Sequence, residues 1–280
     1  MSYRTILVCL NEVERAAVLL QVACDLAQTH EAHLIGLFVV PGLRIYPATG
    51  MAMTPEVFEA HQEIYKRHAD TAKALFDAEI RKAGLSAEWR VFESVSPLIA
   101  DAVIEHALQS DLVIASQSGR GSSTEVETDF AERIVMESGR PVLLVPYYGR
   151  FDHCGRRALV AWNGTREAAR AAFDAVPLLK RADAVNVTWI DPQESGDAAG
   201  PLPAADLAKA LARHAIKTTA EGLSRSGLGA GEALLSHASD LGADLIVMGG
   251  YGHNRLREFI LGGATRTILQ SMTVPVLMSH

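Results

Sequence analysis

Nearly unbroken apolar runs recur along the chain: "ILVCL" (6–10), "LIGLFVV" (34–40), "DLVIAS" (111–116), "ALVAW" (158–162) and "DLIVMG" (244–249). Apolar runs without polar alternation mark strands covered on both faces, as in parallel sheets. Between them, apolar residues return at helical spacing. The pattern predicts strands at about 4–10, 33–40, 87–93, 111–116 and 142–146, then at about 157–162, 184–190, 216–222, 244–249 and 274–279. It predicts helices at about 13–29, 55–83, 96–109 and 128–138, then at about 165–181, 203–214, 229–242 and 262–272. Thr54-Pro55 and Ser96-Pro97 offer an N-cap followed by proline in the first turn. Strand–helix alternation of this kind argues an α/β open sheet with right-handed crossovers, whose ligands sit at the carboxyl ends of the strands.

The pattern is written twice. "TILVCLNEVERAA" (5–17) parallels "RALVAWNGTREAA" (157–169), "SDLVIASQSGRG" (110–121) parallels "ADLIVMGGYGHN" (243–254), and "GRPVLLVP" (139–146) parallels "TVPVLMSH" (273–280). A period this long excludes a solenoid and indicates two duplicated domains, 1–150 and 151–280, joined near "PYYGRFDHCGR" (146–156). Each is expected to hold a five-stranded, mostly parallel open sheet with helices on both faces.

The 280 residues suit two such domains, and 49% apolar with 21% charged residues is ordinary for a globular chain. The net charge of −7 and the lack of a basic block argue against nucleic acid as a partner. No run of 18 apolar residues and no signal-like N-terminus occurs, so a cytoplasmic protein without a membrane partner is expected. Cys9, Cys24 and Cys154 fit neither a zinc spacing nor CxxC, and the first two read as small core residues. The loop "PGLRIYPATGMAMTP" (41–55) reads either as a lid packed on the protein or as a wall of an apolar site.

The candidate chemistry lies in "MGGYGHNRLREFILGG" (248–263), where a predicted buried strand leaves through glycines and a helix resumes beyond a second glycine pair. Gly249 and Gly252 would allow close backbone approach and positive φ, and a helix beginning near Gly262 would add unpaired N–H groups and a positive dipole end. The same residues also suit a plain glycine turn. Arg255 and Arg257, between the two glycine pairs, read either as phosphate partners or as solvated surface residues.

Together, the "ILV" run ending in Asn, the late "DLIVMG-x-x-G" and the terminal "PVL" resemble the universal stress protein family in its tandem, two-domain form. The resemblance covers nearly the whole chain. Its specific motif is G-x2-G-x9-G-[S/T], which holds phosphates and ribose in ATP-binding members. Gly249, Gly252 and Gly262 match it, while Gly263 stands where the family has Ser or Thr and offers no hydroxyl. The resemblance implies a site for ATP, with Mg as its companion ion, built from Asn163, Gly164, Gly249, Gly250, Gly252, His253, Asn254, Gly262, Gly263, Ala264 and Thr265. Many ATP-binding members carry Asp near the base; here Asn11 and Asn163 stand there, either as base-edge readers or as turn residues.

The first copy departs from the motif. "SQSGRGSSTEVETDFAE" (116–132) has Ser116 for the first glycine, and Glu125, Glu127 and Asp129 where a phosphate would sit. Acids repel an anion, so a degenerate first site is expected. No GxSxG, GxxxxGK[ST] or HExxH occurs, and no catalytic set is visible. The resulting expectation is a nucleotide-binding stress sensor or regulator. Its alternatives are a scaffold or carrier of another small ligand and, further off, a weak ATP hydrolase. The resemblance also implies that the two halves form a dimer-like pair through their terminal strands, and two chains are expected to join as a homodimer.

Overall fold

A computed structural model describes residues 2–43, 55–117, 126–190, 203–225, 227–251 and 263–280. Tyr3–Ser138 forms one compact unit, and Gly139–His280 makes up the bulk of the other.

The first unit contains β1 (Thr5–Cys9), a 3-10 turn (Val13–Arg15), α1 (Ala16–His30), β2 (His33–Val40), α2 (Pro55–Ala83), β3 (Ala87–Glu93), α3 (Ile99–Ala107), β4 (Leu112–Ser116) and α4 (Phe130–Glu137). Its strands run parallel in the order β3-β2-β1-β4. The continuous apolar runs are explained by their cover: all but the first residue of β2 are buried, as is every residue of β4. Ser96 does not take the N-cap position expected of it. Leu98 does, and the Ser96 hydroxyl instead accepts from the Leu98 N–H at 3.2 Å and donates to Asp101.

The second unit contains β5 (Val142–Val145), β6 (Arg157–Trp162), α5 (Arg166–Asp174), α6 (Val176–Leu179), β7 (Ala184–Ile190), α7 (Pro203–Ala212), β8 (Thr218–Leu223), α8 (Ala230–Asp240), β9 (Leu245–Gly249), α9 (Ala264–Ser271) and β10 (Val276–Ser279). The strand order is β5-β10-β9-β6-β7-β8. The single helix expected over 165–181 is divided at Ala175, with Pro177 in the first turn of α6, because proline lacks the N–H that a continuing helix needs.

Each half of the sequence supplies five strands, but the compact units share them as four and six. β5 pairs antiparallel with β10, placing Val276 opposite Leu144 and Met278 opposite Val142. This is the terminal-strand pairing that the resemblance implies, and it closes an apolar edge that would otherwise invite aggregation. All four residues of each strand are buried.

The duplication extends to individual hydrogen bonds. Asp111, just before β4, accepts from the Arg4 and Thr5 N–H groups at 2.7 and 2.9 Å. Asp244, just before β9, accepts from the N–H groups of Gly155, Arg156 and Arg157 at 3.1, 3.1 and 2.9 Å. In both halves a carboxylate at the foot of one inner strand satisfies the amide groups entering its neighbour.

The chain's three tryptophans allow the placement of β5 to be tested. Trp162 and Trp189 lie in the second unit and Trp89 in the first. In a Trp89→Phe background, tryptophan fluorescence should report the second unit alone. Leu143→Ala, made in the first half of the sequence, should lower the stability read by that signal by about 2–4 kcal/mol in denaturant titration. An unchanged transition would show that β5 does not belong to that unit.

Candidate functional site

In each unit the strand order reverses beside the first strand of the repeat: between β1 and β4, and between β6 and β9. The carboxyl ends at such a reversal form the crevice where open α/β sheets bind ligands. Asn11 and Ser116 border the first crevice; Asn163 and Gly249 border the second.

In the second crevice Gly249 does not have positive φ. Its need for glycine is steric. A Cβ there would meet the Ala168 backbone nitrogen at 2.5 Å and the Glu167 carbonyl carbon at 2.6 Å. The absent side chain lets the first turn of α5 lie directly on the end of β9. Gly250 donates its N–H to the Ser279 carbonyl at 2.9 Å, and its own carbonyl lies 3.0 Å from His280 Nδ1. The left-handed residue of this turn is Tyr251, with φ of 53°. Its N–H donates to the Thr265 hydroxyl at 3.3 Å, tying the strand exit to the first turn of α9. Gly263 is the N-cap of α9 and provides no side-chain cap, and the first turn of α9 carries no acid. The first N–H groups of a helix have no partner within it and present a partial positive charge.

Asn163 acts first as a turn residue. Its Oδ1 accepts from the Thr165 N–H at 3.2 Å and from the Thr165 hydroxyl at 2.9 Å. Thr165 in turn caps α5 by accepting from the Ala168 N–H at 3.3 Å. Gly164 sits at φ +74°, with Trp189 3.3 Å from where its Cβ would be. Asn163 and Gly164 are exposed. Glu167, which the sequence reading did not single out, is buried beside Gly249. Burial raises its pKa, but its pairing with Arg166, its own backbone amide and Thr165 outweigh that and hold it below the usual carboxylate value. Gly252, His253, Asn254 and Gly262, like Arg255 and Arg257, lie outside the described residues. So do Thr54, residues 44–54 of the long loop, Gly119 and Glu125.

The first crevice is chemically different. Asn11 neither caps a helix nor turns the chain. Its Nδ2 donates to the Val39 carbonyl at 2.7 Å and its Oδ1 accepts from the Val39 N–H at 3.0 Å. The side-chain amide thus acts as one more peptide in the β1–β2 ladder, after the Leu10 N–H has bonded the Leu37 carbonyl at 2.9 Å. Asn11 is buried, and its Oδ1 and one Nδ2 hydrogen are taken by Val39, so it does not present a donor–acceptor edge to a base. Glu127, expected only to repel phosphate, also has a structural partner. It is buried, and its two oxygens accept from the Ile99 and Ala100 N–H groups at 3.2 and 2.7 Å, an internal anion on the start of α3. α4 carries Asp129 at its N-cap and Glu132 in its first turn.

Glu12 is buried next to Asn11, and its Oε2 has no hydrogen-bond partner among the described residues. Burial pushes its carboxyl above the usual value, opposed by the Ser116 hydroxyl and Arg15 and reinforced by Glu14. Burial also pushes the thiols of Cys9 and Cys24 up to about 12 and about 11, which suits packing and not nucleophilic chemistry. Among the described residues no cluster of three metal-ligating side chains forms and no helix is long and apolar enough to cross a membrane. A groove of about 440 Å³ lies elsewhere on the first unit, between α2 and β3, lined by Phe58, Glu59, Val91 and Glu93 among others, and touches neither crevice.

Two measurements test this account. Asn11→Ala leaves both Val39 backbone groups unpaired and should cost about 2–4 kcal/mol of first-unit stability, read by Trp89 fluorescence. A loss near zero would mean that water replaces the amide. Because folding raises the Glu12 pKa, the proton is held more tightly in the folded chain. The associated stability is full below the unfolded carboxylate range and is lost as pH rises through the folded value. Glu12→Gln should therefore match wild type in acid and exceed it near neutrality, in denaturant midpoints taken across that range. A variant less stable than wild type at pH 7 would contradict the dominance of burial over the Ser116 hydroxyl and Arg15 at this carboxyl.

A family model described as "Universal stress protein family" matches residues 2–146 and again 155–280. The crystal structure of a universal stress protein from Archaeoglobus fulgidus DSM 4304 is similar over 98% of this chain and 95% of its own, with a TM-score of 0.73 at 17% identity. Another from Archaeoglobus fulgidus, solved in complex with dAMP, is similar over 51% of this chain and 98% of its own, with a TM-score of 0.34 at 16% identity. Universal stress protein Slr1230 of Synechocystis sp. is 38% identical over 46 residues, so this chain spans only 16% of that relative's length. With the family's domain present in both halves, the chain belongs to the universal stress protein family in a tandem arrangement.

Proposed function

We propose that the chain is a stress-response sensor or regulator that binds one adenine nucleotide, ATP with Mg, in its second half. The observation that carries this reading is the start of α9. Its N-cap is a bare glycine, its first turn lacks acids, and Thr265 ties it to the strand exit at Tyr251. That is the arrangement of an anion site at a helix N-terminus. The corresponding helix of the first half, α4, starts among Glu127, Asp129 and Glu132, so nucleotide binding is assigned to the second half alone.

In this proposal Gly250, Gly252, His253, Asn254 and Gly262 line the phosphates, with Gly263, Ala264 and Thr265 donating backbone N–H groups. Gly249 serves by letting α5 approach. Asn163 and Gly164 stand at the base side, where the Asn163 Nδ2 bonds none of the described residues. Gly263 offers no hydroxyl to a γ-phosphate or to the metal, so contacts to a diphosphate contribute most of the affinity. Action in the cytoplasm and assembly as a homodimer belong to the same proposal.

The test is calorimetric titration of the purified chain with MgATP, with ADP and AMP as competitors. One nucleotide per chain is expected. Ala264→Glu should weaken binding at least tenfold, while the acid in the first turn of α9 slightly stabilises the helix. Two nucleotides per chain would refute a degenerate first site. No heat and no competition would overturn the nucleotide reading altogether.

A further inference from the structure

A gap opens between α2 and β3 because the side chains that meet there change size along the helix. Toward the amino edge of the sheet the rings of Phe76 and Trp89 meet with centroids 5.3 Å apart, and Phe76 fills the space beside Gly36. Two turns nearer its start, α2 presents Ala69, and β3 presents Val91, two residues beyond Trp89 on the same face. These side chains are too short to close the distance that two aromatic rings set. The result is the groove of about 440 Å³, within the range of about 300–1,000 Å³ over which small-molecule sites fall. Val40 and Ala69 in it are buried, whereas Phe58 and Val91 are 51% and 50% exposed.

The polar residues that line it are mostly acids. Glu59, Glu63 and Asp70 come from α2 and Glu93 from the end of β3, against a single cation, Lys66. On α2 these residues and Gln62 fall within an arc of roughly 140° beside the buried face. The Arg67 Nε donates to the Glu63 carbonyl at 3.3 Å and approaches the Glu63 carboxylate only to 4.0 Å. Among the described residues Glu59, Lys66, Asp70 and Glu93 take part in no ion pair. Glu59 and Asp70 lie ~16 Å apart along the helix axis, so negative charge is spread along the groove with apolar side chains between. A compact metal ion needs its oxygens gathered, and the described residues gather no such set.

We propose that this groove binds a linear aliphatic polyamine. Such a molecule is a thread of methylene runs separated by ammonium groups, so apolar surface and positive charge alternate along it. Its methylenes pack on Val40, Phe58, Ala69 and Val91. Its ammonium groups pair with Glu59, Glu63, Asp70 and Glu93, and Phe58 adds a ring on which an ammonium can rest. Four carboxylates against one ammonium repel an anionic thread of the same length. The groove touches neither crevice, so the inference is independent of nucleotide binding.

Calorimetric titration of the full chain with spermine, without nucleotide, tests it. The salt should be about 0.15 M, where attraction beyond ~8 Å is largely screened. One spermine per chain is expected, with putrescine, too short to span the groove, binding more weakly. Glu59→Gln and Glu93→Gln, from opposite walls, should each weaken spermine binding roughly threefold or more. Val91→Thr should weaken it too, and Asp240→Asn, on α8, should leave it unchanged. Absence of saturable binding would overturn the inference. So would equal weakening by Asp240→Asn, the mark of diffuse charge attraction, or putrescine binding as tightly as spermine. Loss on the Gln changes with none on Val91→Thr would reduce the site to bare acids and overturn the groove as its seat. Uptake of a lysine-rich peptide but not of spermine would assign the groove to a protein partner and overturn the polyamine.

Discussion

Two aspartates at the feet of inner strands set the frame on which both crevices depend. Parallel strands place all their amino ends at one edge and all their carboxyl ends at the other. Asp111 and Asp244 secure the amino edge by satisfying the N–H groups that lead into β1 and β6. A carboxylate accepting two or three amide hydrogens is worth more than a neutral bond. With that edge pinned, the register of the neighbouring inner strands is fixed, and their carboxyl ends open at matched heights. The duplicated halves share this foundation and differ at the open edge, where Asn163 and Gly249 in one half stand in the places of Asn11 and Ser116 in the other.

One exchange of residue type stands at the end of the corresponding strands, Gly249 in one half and Ser116 in the other. Where Gly249 has no side chain, the first turn of α5 rests on the strand end, and Thr165 caps a well-formed helix. Where Ser116 stands, the chain begins its helix with a 3-10 turn, and Glu12 is buried beside the serine hydroxyl. Among the described residues, α9 starts on a glycine N-cap that makes no side-chain cap. Its counterpart α4 starts with Asp129 and Glu132, and Glu127 just before it is spent on the start of α3.

Much of this was legible in the sequence. Apolar runs such as "LIGLFVV" and "DLIVMG" mark strands because burial on both faces leaves no room for polar alternation, and β2 and β9 lie where those runs predict. The glycine at 249 was legible as a close approach, but the group that approaches it is the first turn of α5, since steric need leaves the same mark whichever body comes near. Two features were hidden. Asn11 reads as a turn residue in any sequence, and nothing local reveals that its amide continues a ladder to Val39. Glu127 reads as a repelling charge, because the amide groups that neutralise it belong to α3, more than twenty-five residues earlier in the chain. The pairing of β5 with β10 was expected from the resemblance alone, because apolar runs far apart in the chain carry no label of their partner.

That distant pairing has a consequence for how the protein is made. Val145 and Val276 are synthesised far apart in time: at ~5–20 residues per second, on the order of ten seconds separates them on the ribosome. Throughout that interval the edge of β5 that pairs with β10 waits for a mate that does not yet exist. Such an edge is open to any other unfinished chain on the same messenger. The vulnerable stage in the life of this fold is therefore translation. Slowing elongation through the second half would lengthen that exposure, and a chaperone that shields β5 would shorten it.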